Sequence, residues 1–301
     1  MKYIITGDWH LRADKPRCRL DENWLQTQRL AVRNIVDYSN IHECDIIFTG
    51  DLFHTPVVPP NVTNMLIQEI SLLENDFLLI AGNHDCQYHN IGNIFKSSFG
   101  TILANGLSNG GSGIVDLPLY VLPAISGFHF GQEPEEKDIK KEMIVIHRLV
   151  FNFQKHKFPG ATGIMTDELL KLYPNVKWIL TGDNHRNFHY ENDGRHVVNP
   201  GTLLRQHANE IGYETGFYVI DGDDIEFVRV QDDENLVTDE YLRSENEKSD
   251  RIEAFIESVK NTGEISLDFL SNLREFMKNN DLGPASDVIN NFMEDLNESW
   301  S

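Results

Sequence analysis

The sequence predicts an α/β fold with a small helical appendage at its C-terminal end. Short apolar runs alternate with amphipathic segments of helical period, which is typical of strands joined by helical crossovers. Several of the runs end in glycine followed by aspartate or asparagine, and beyond residue 231 only helical patterns follow. We therefore expect two domains, residues 1–231 and residues 232–301.

The first part of the chain is predicted to form a βαβαβ unit. Its strands are expected at residues 2–6, 45–49 and 77–81, and its helices at residues 22–40 and 61–74. The carboxyl ends of parallel strands lie at one edge of a sheet, so the polar residues that follow each strand should meet there. A dinucleotide-binding unit is not expected, because no G-x-G-x-x-G sequence follows the first strand.

The middle of the chain is predicted to add further strands. A glycine-rich loop at residues 105–113 and an acidic helical segment at residues 132–142 precede two apolar runs that end in polar residues, at 143–147 and 177–181. The other strands are expected at residues 114–116, 119–122, 186–190 and 195–198, with a hairpin formed by residues 216–220 and 225–230.

The C-terminal region is predicted to be helical and acidic. Three apolar stripes of helical period lie between residues 249 and 298, and they either pack on one another or offer a surface to a partner. The chain has a formal net charge of −21, and residues 232–301 carry 18 acidic against 6 basic side chains. Because an acidic surface repels nucleic acid, a polyanionic substrate would need metal ions or a basic partner.

The cysteine pattern and the hydropathy predict a cytoplasmic protein. Cys18, Cys44 and Cys86 have no paired spacing, which argues against a disulfide framework or a zinc ribbon and favours a reducing compartment. The first strand begins at residue 2, which leaves no room for a signal peptide, and no apolar run approaches the ~20 residues of a membrane span. We expect no membrane contact.

Aspartate, asparagine and histidine residues, which are common metal ligands, follow five of the predicted strands. Asp8 and His10 are separated by one residue, so in an extended segment both point the same way, as two ligands of one metal must. Two divalent ions need a bridging carboxylate and several further oxygen or nitrogen ligands. The predicted ligands are Asp8, His10, Asp51, Asn83, His147, Asp183 and His185, with His84 and Asp85 beside them.

This series resembles the calcineurin-like metallophosphoesterases over residues 6–202. The matching motifs are Asp8-x-His10, Gly50-Asp51, Gly82-Asn83-His84-Asp85, His147 and Gly182-Asp183-x-His185. Within that superfamily, Asp8-Trp9-His10-Leu11, Gly50-Asp51-Leu52-Phe53-His54 and Asn199-Pro200-Gly201-Thr202 are most similar to the SbcD-type DNA repair nucleases, in a compact bacteriophage version. The resemblance implies a four-layer β-sandwich flanked by helices.

The resemblance also implies a role for each motif residue. It places Asp8, His10 and His185 on one metal and Asn83, His147 and Asp183 on the other, with Asp51 bridging. His84 is expected to be the catalytic histidine, with Asp85 orienting its ring, and His54 to assist exonucleolytic cutting. One residue departs from the family pattern, because the family usually has histidine where this chain has Asp183. A further anionic ligand favours hard ions, so we expect Mn²⁺, with Mg²⁺, Fe²⁺ or Zn²⁺ as alternatives.

The implied function is hydrolysis of DNA phosphodiester bonds by a two-metal exonuclease and endonuclease, in repair, recombination or replication-linked end processing. The implied partners are DNA, an SMC-like coiled-coil ATPase of the SbcC type and a second copy of the chain in a homodimer; for a phage protein the compartment is the host cytoplasm. Two basic clusters either contact DNA or are solvated loops: Arg12, Lys15, Arg17 and Arg19, and Lys155, His156 and Lys157. The alternatives are a small-nucleotide phosphodiesterase or phosphoprotein phosphatase of the same fold, and a non-catalytic scaffold.

Overall fold

The computed structural model describes residues 2–104, 125–134, 142–153 and 162–242. The chain divides into two units, Met1–Val237 and Thr238–Ser301, and only residues 238–242 of the second unit are described. The expected domain boundary after residue 231 stays a prediction. The predicted loop at 105–113, the predicted strands at 114–116 and 119–122 and the three C-terminal helices lie outside the described residues.

The described part of the chain contains twelve strands and four α-helices. The strands are β1 (Lys2–Thr6), β2 (Asp45–Phe48), β3 (Phe77–Leu79), β4 (Ile125–Phe128), β5 (Met143–Ile146), β6 (Val150–Phe151), β7 (Ile164–Met165), β8 (Trp178–Thr181), β9 (Phe188–Asn192), β10 (Arg195–Asn199), β11 (Gly216–Asp221) and β12 (Asp224–Arg229). The α-helices are α1 (Trp24–His42), α2 (Pro60–Ile70), α3 (Ser98–Ala104) and α4 (Thr166–Leu172).

Ten of the strands form two mixed sheets. The first has the order β12-β11-β1-β2-β3, in which β1, β2 and β3 are parallel and β11 and β12 form an antiparallel hairpin. The second has the order β4-β5-β8-β10-β9, in which only the last pair is antiparallel. The strands β6 and β7 form a separate parallel pair. The predicted βαβαβ unit and the C-terminal hairpin are confirmed.

Three buried clusters divide the fold into four layers. Successive residues of a strand point to opposite faces, so Ile5 packs between the two sheets while Ile4 packs beneath the helices. The cluster between the sheets joins Ile5, Ile47 and Leu78 to Val145, Leu180 and Val198. Helices α1 and α2 cover the first sheet and α4 covers the second. This helix, sheet, sheet, helix order confirms the expected fold class.

Local chemistry explains how the two crossover helices begin. The side chain of Asn23 accepts a hydrogen bond from the backbone N–H of Gln26 and caps α1. Helix α2 begins at Pro60, whose missing N–H is harmless in the first turn. It ends at Ile70, four residues before the predicted end, because Leu72 and Leu73 bond to carbonyls three residues back and tighten the chain.

The structure also differs from the sequence prediction at β3, β4 and residues 132–134. Strand β3 stops at Leu79, because the N–H of Ala81 bonds to the ring of His129 and no longer joins the sheet. The strand at Ile125–Phe128 was not predicted. Residues 132–134 are not helical, and the rest of the predicted helix at 132–142 is described only at residue 142. None of the described helices is long and apolar enough to span a membrane.

Candidate metal centre

The residues that follow β1, β2, β3, β5 and β8 meet at one edge of the two sheets. Four of them, Asp8, His10, Asp51 and Asp183, have a left-handed backbone, with φ between 45° and 73°. Such conformations are unfavourable for residues other than glycine and are concentrated at functional sites. They turn the side chains inward, so the structure brings all seven predicted ligands together.

Glycines allow this close approach. A Cβ atom at Gly82 would lie 2.0 Å from Asp51 Oδ1, and Gly50, whose φ is +110°, would place one 2.2 Å from His147 Nδ1. Any side chain at either position would displace a predicted ligand. The glycines that precede the motif residues are therefore required by the geometry of the site.

The first group of donors contains Asp8, His10 and His185. The Nε2 atoms of His10 and His185 are 3.0 Å apart, and Asp8 is fully buried. Asp8 Oδ1 accepts a hydrogen bond from the N–H of Asp183, whereas Oδ2 has no partner among the described residues. A buried carboxylate oxygen without a hydrogen bond is costly, and a metal ion is one way to satisfy it.

The second group contains His147, Asn83 and Asp183. His147 Nδ1 donates to the backbone oxygen of Thr49 at 2.8 Å, so Nε2 faces the site. Asn83 Oδ1 is 2.9 Å from that Nε2 atom, and Asp183 Oδ1 is 3.9 Å from it. The backbone bond fixes the His147 ring in the orientation that a ligand needs.

Asp51 lies between the two groups. Its Oδ2 atom is 3.6 Å from His10 Nε2 and 3.5 Å from His147 Nε2. Its Oδ1 atom accepts a hydrogen bond from the N–H of His84 at 2.9 Å. One carboxylate shared by both groups is the arrangement expected of a ligand that bridges two metals.

The charges of the site are strongly coupled in the bare protein. Burial raises the pKa of Asp8 to about 7. Burial lowers the pKa of His147, but the carboxylates of Asp51, Asp8 and Asp183 outweigh it and raise the pKa to about 10. For His185, burial is likewise outweighed, chiefly by Glu210, and the pKa rises to about 9. These protons occupy positions for which cations would compete.

The donor set fits two divalent cations. Carboxylate oxygens, imidazole nitrogens and an amide oxygen suit Mn²⁺, Fe²⁺, Zn²⁺ or Mg²⁺ better than a thiolate-selective metal. Asp8, Asp51 and His147 have ligand atoms within 4.8 Å of one another, as a single centre requires. The site of the sequence prediction is thus a compact set of metal-binding side chains.

His84 and His54 lie beside this centre. His84 Nδ1 donates to the backbone oxygen of His54 at 2.8 Å, so Nε2 is the ring nitrogen that this carbonyl does not engage. The centre of the His84 ring is 4.8 Å from the His10 ring and 5.7 Å from the His54 ring. Ring nitrogens of His10, His54 and His84 lie within 4.8 Å of one another.

The expected contact between Asp85 and the His84 ring is absent from the described residues, and that expectation is corrected. The buried carboxylate of Asp85 instead accepts three backbone N–H groups, from Leu52, Phe53 and Gly82. The carbonyl of His54 takes the place at the His84 ring. Asp85 therefore holds the backbone of the two loops that carry the ligands.

Glu210 is a functional residue that sequence reasoning missed. It is buried, its Oε1 atom contacts His185 Nδ1, and its Oε2 atom accepts the N–H groups of Gln206 and His207. A carboxylate on the outer nitrogen of a ligating histidine fixes its tautomer and orientation. No motif marks Glu210, because it lies 25 residues from His185 and the contact is tertiary.

One member of the first basic cluster, Arg19, is not available for DNA, whereas Lys15 and Arg17 are exposed. Arg19 is buried and bound to the carboxylates of Asp21 and Asp232, so it holds the chain together and cannot contact a substrate. Arg12 pairs with Asp14, and Lys15 donates to the backbone oxygen of Asp21. The second cluster, Lys155, His156 and Lys157, lies outside the described residues.

A cleft of about 540 Å³ opens beside the metal centre on the side of His185. Its walls include Arg186, His207 and Tyr213 together with Asp183. A volume of this order matches those of small-molecule sites, about 300–1,000 Å³. The cleft therefore has room for a substrate group next to the ligands.

The match to a protein-family model agrees with this fold. A family model for calcineurin-like phosphoesterases matches residues 1–187. An archaeal phosphodiesterase structure is 15% identical with a TM-score of 0.41, over 76% of this chain and 100% of that one. A dimetal phosphatase from Danio rerio is 10% identical with a TM-score of 0.45, over 73% and 91%. A metallophosphoesterase from Sphaerobacter thermophilus is 13% identical with a TM-score of 0.36, over 87% and 95%. No curated protein sequence matches the chain.

Proposed function

Since the chain belongs to the calcineurin-like phosphoesterase family, we propose that this metal-dependent phosphoesterase is a nuclease that hydrolyses DNA phosphodiester bonds, with the exonuclease and endonuclease action of the SbcD type. The observation that carries the proposal is the convergence of seven donor side chains in two groups, with the Asp51 carboxylate between His10 and His147 and the His84 ring beside His10. DNA repair, recombination or end processing during replication is the proposed setting.

The chain's own residues provide the acid and base chemistry. Two divalent cations, when bound, supply Lewis acidity and neutralise phosphate charge. His84 Nδ1 is occupied by the carbonyl of His54, so a proton on Nε2 is the one that can reach a leaving oxygen or a phosphoryl oxygen. Asp85 keeps the loops of Asp51 and His84 in register through its three backbone bonds.

His54 supports a nucleic acid substrate. The motif Gly50-Asp51-Leu52-Phe53-His54 is the one that resembles the DNA repair nucleases, and the His54 ring lies 5.7 Å from both the His10 and His84 rings. A histidine at this place lies close enough to the centre to contact a strand that is being cut. The role of His54 in exonucleolytic cutting is therefore part of the proposal.

Degradation of linear DNA in Mn²⁺ tests the function. The wild-type protein is expected to degrade it, and His84→Ala is expected to lose the activity while still binding Mn²⁺. His42→Ala, at the end of α1, removes a histidine from a helix end and is expected to leave the activity unchanged. Intact DNA after incubation with metal-loaded wild-type protein would refute the proposal.

The net charge of −21 favours one alternative, a phosphodiesterase that acts on small nucleotides. A small phosphodiester carries a single negative charge and meets less long-range repulsion than a DNA strand does. The same assay distinguishes the two, because activity confined to bis(p-nitrophenyl) phosphate or cyclic nucleotides, with DNA left intact, would favour the alternative.

Mn²⁺ is the proposed metal. Asp183 adds a carboxylate where the resembling family has histidine, and hard oxygen ligands favour Mn²⁺ or Mg²⁺ over Zn²⁺. Activity of metal-stripped protein restored with each ion tests this choice. Full restoration by Zn²⁺ at a lower concentration than Mn²⁺ would contradict it.

The acidic C-terminal region is proposed to bind a basic partner. The composition of residues 232–301, with 18 acidic and 6 basic side chains, suits a basic coiled-coil base of an SMC-like ATPase of the SbcC type. A homodimer in the cytoplasm is proposed on the same resemblance. Deletion of residues 249–301 should abolish affinity for the partner, and affinity that survives the deletion would exclude this surface.

A further inference from the structure

We propose that Arg186 and Tyr213 form a subsite for the nucleotide next to the scissile phosphate, in which Arg186 binds that nucleotide's phosphate and Tyr213 holds the guanidinium in place. This inference rests on the proposed nuclease function. It starts from the cleft beside His185, which both side chains line.

The guanidinium of Arg186 contacts an aromatic ring but forms no ion pair with the described residues. Its Cζ atom lies 4.4 Å from the centre of the Tyr213 ring, in a cation–π contact. Among the described residues, no carboxylate or carbonyl is paired with this guanidinium, whereas Arg12, Arg148 and Arg229 each pair with a carboxylate. The chain has a net charge of −21, yet this guanidinium beside the metal centre is not neutralised by a described carboxylate. Because guanidinium groups bind phosphates through charge-assisted hydrogen bonds, we expect a phosphate to bind here.

The backbone that carries Arg186 is fixed to the metal centre. Asn199 Nδ2 donates to the backbone oxygens of Asn184 and Arg186, at 2.5 and 2.9 Å. The N–H of Arg186 donates to Asn184 Oδ1, and Asn184 Nδ2 donates to the backbone oxygen of Val150 at 2.7 Å. Arg186 directly follows the predicted ligand His185, so a phosphate bound there is held in a fixed relation to the metals.

The segment that carries Tyr213 is attached to the same centre. Tyr213 donates its N–H to the backbone oxygen of Glu210 at 2.8 Å, and the Glu210 side chain contacts His185. Arg186 and Tyr213 therefore approach the cleft from two segments that are both anchored on His185. A planar guanidinium stacked on a ring loses little conformational freedom when it binds a phosphate, which favours affinity.

Two acidic residues, Asp183 and Glu210, line this cleft, and both carboxylates are already assigned to other partners. The Asp183 carboxylate is assigned to the metals, and the Glu210 carboxylate contacts His185 and two backbone N–H groups. Arg186 is therefore the permanent cation among the residues that line the cleft. It offsets the acidic charge that a second phosphate would otherwise meet.

Steady-state cutting of a single-stranded oligonucleotide in Mn²⁺ tests the subsite. Arg186→Ala is expected to raise KM about 10- to 100-fold with a smaller change in kcat, the loss typical of a charge-assisted hydrogen bond. The slope of log KM against log salt should fall by about 0.7, which corresponds to one lost contact with a single strand. The loss on bis(p-nitrophenyl) phosphate, which has no neighbouring phosphate, should be at least about tenfold smaller.

Tyr213 has a different expected signature. Tyr213→Leu should raise KM about 2- to 5-fold by freeing the guanidinium, while Tyr213→Phe stays close to wild type. The effect of Tyr213→Leu should disappear in the Arg186→Ala protein, because a positioning residue acts only through its partner. Equal effects of Tyr213→Leu in both backgrounds would show that Tyr213 does not act through Arg186.

Arg29→Ala is the matched control, since Arg29 is an arginine of α1 that contacts Gln68 and Glu69 on α2. If Arg186→Ala matches Arg29→Ala in KM and salt slope while wild type cuts the oligonucleotide, the subsite is wrong and the nuclease function stands. If wild type cuts only bis(p-nitrophenyl) phosphate, the nuclease function fails and the subsite fails with it.

Discussion

Replacing Glu210 by glutamine tests how the metal centre depends on a residue that binds no metal itself. Glu210 Oε2 accepts the N–H groups of Gln206 and His207 at 2.6 and 3.0 Å, and Oε1 contacts His185 Nδ1. The glutamine amide has the same shape but only one accepting atom. Its oxygen has to stay with the two backbone donors, because leaving each of them unpaired in the interior costs about 1–3 kcal/mol.

The amide nitrogen of Glu210→Gln then faces His185 Nδ1. Because an NH₂ group only donates, Nδ1 has to accept, and the neutral ring carries its proton on Nε2. That Nε2 atom lies 3.0 Å from His10 Nε2, at the predicted metal position. A ligand lone pair is thus replaced by a proton, and loss of such an orienting contact typically lowers metal affinity about 10- to 100-fold, or about 1.4–2.8 kcal/mol.

Calorimetric titration of metal-stripped protein with Mn²⁺ measures this loss. One of two sites should weaken about 10- to 100-fold in Glu210→Gln, and the Mn²⁺ concentration for half-maximal phosphodiester hydrolysis should rise by a similar factor. Glu69→Gln is the matched control, since the Glu69 and Glu210 side chains are each 2% exposed but Glu69 pairs with Arg29 and Arg33 between α1 and α2. Wild-type affinity in Glu210→Gln, or an equal loss in Glu69→Gln, would refute the reasoning.

Three further predictions follow from the site and its surroundings. His84→Ala should lower kcat about 10²- to 10⁴-fold as loss of a general acid does, with Mn²⁺ affinity within a few-fold of wild type; a comparable loss of Mn²⁺ binding would instead make His84 a ligand. Asp183→His should retain activity with a changed metal preference and Asp183→Ala should lose most of it, measured with Mn²⁺, Mg²⁺ and Zn²⁺; full activity of the alanine variant would show that this carboxylate is not a ligand. Burial lowers the pKa of His129 to about 3, so below its ordinary pKa of 6.5 only the unfolded state takes up the proton and stability falls as the pH drops. Between pH 7 and pH 5, wild type should lose about 2 kcal/mol more stability than His129→Gln in urea titrations with EDTA, and parallel losses would contradict this.

The ligand positions could be predicted because they follow from local pattern. Each predicted ligand lies within four residues after the end of an apolar strand, and parallel strands end at the same edge of a sheet. Short-range sequence therefore determines where Asp8, Asp51 and His147 lie. The helices between them follow from hydrophobic periodicity. Strand β4 was missed since its sequence, Ile-Ser-Gly-Phe, interrupts the apolar run with a serine and a glycine.

The residues that hold the ligands could not be predicted, because their roles depend on contacts between distant parts of the chain. Arg19 bonds to Asp232, 213 residues later, and became a buried ion pair where sequence suggested an exposed cation. Asp85 binds the backbone 32 and 33 residues earlier, although it is adjacent to His84 in sequence. Neighbours in sequence were therefore a poor guide to which group orients the His84 ring.

The charge balance expected for the proposed metal centre links the carboxylate of Asp183 to the nearby guanidinium of Arg186. Asp8, Asp51 and Asp183 carry three negative charges, and two divalent cations would leave the loaded centre at about +1. With a neutral histidine in place of Asp183 the same centre would be at about +2, so the carboxylate weakens the attraction for a phosphate by one charge. Arg186, three residues later, contacts Tyr213 and has no ion-pair partner among the described residues, so it places a positive charge in the wall of the cleft. A positive charge in the cleft wall attracts the phosphate next to the scissile one. The combination of Asp183 and Arg186 therefore weakens binding of the scissile phosphate and strengthens binding of its neighbour. Substrates with more than one phosphate should therefore bind more tightly than they would with histidine at position 183 and no cation at position 186, whereas a monophosphate should bind more weakly.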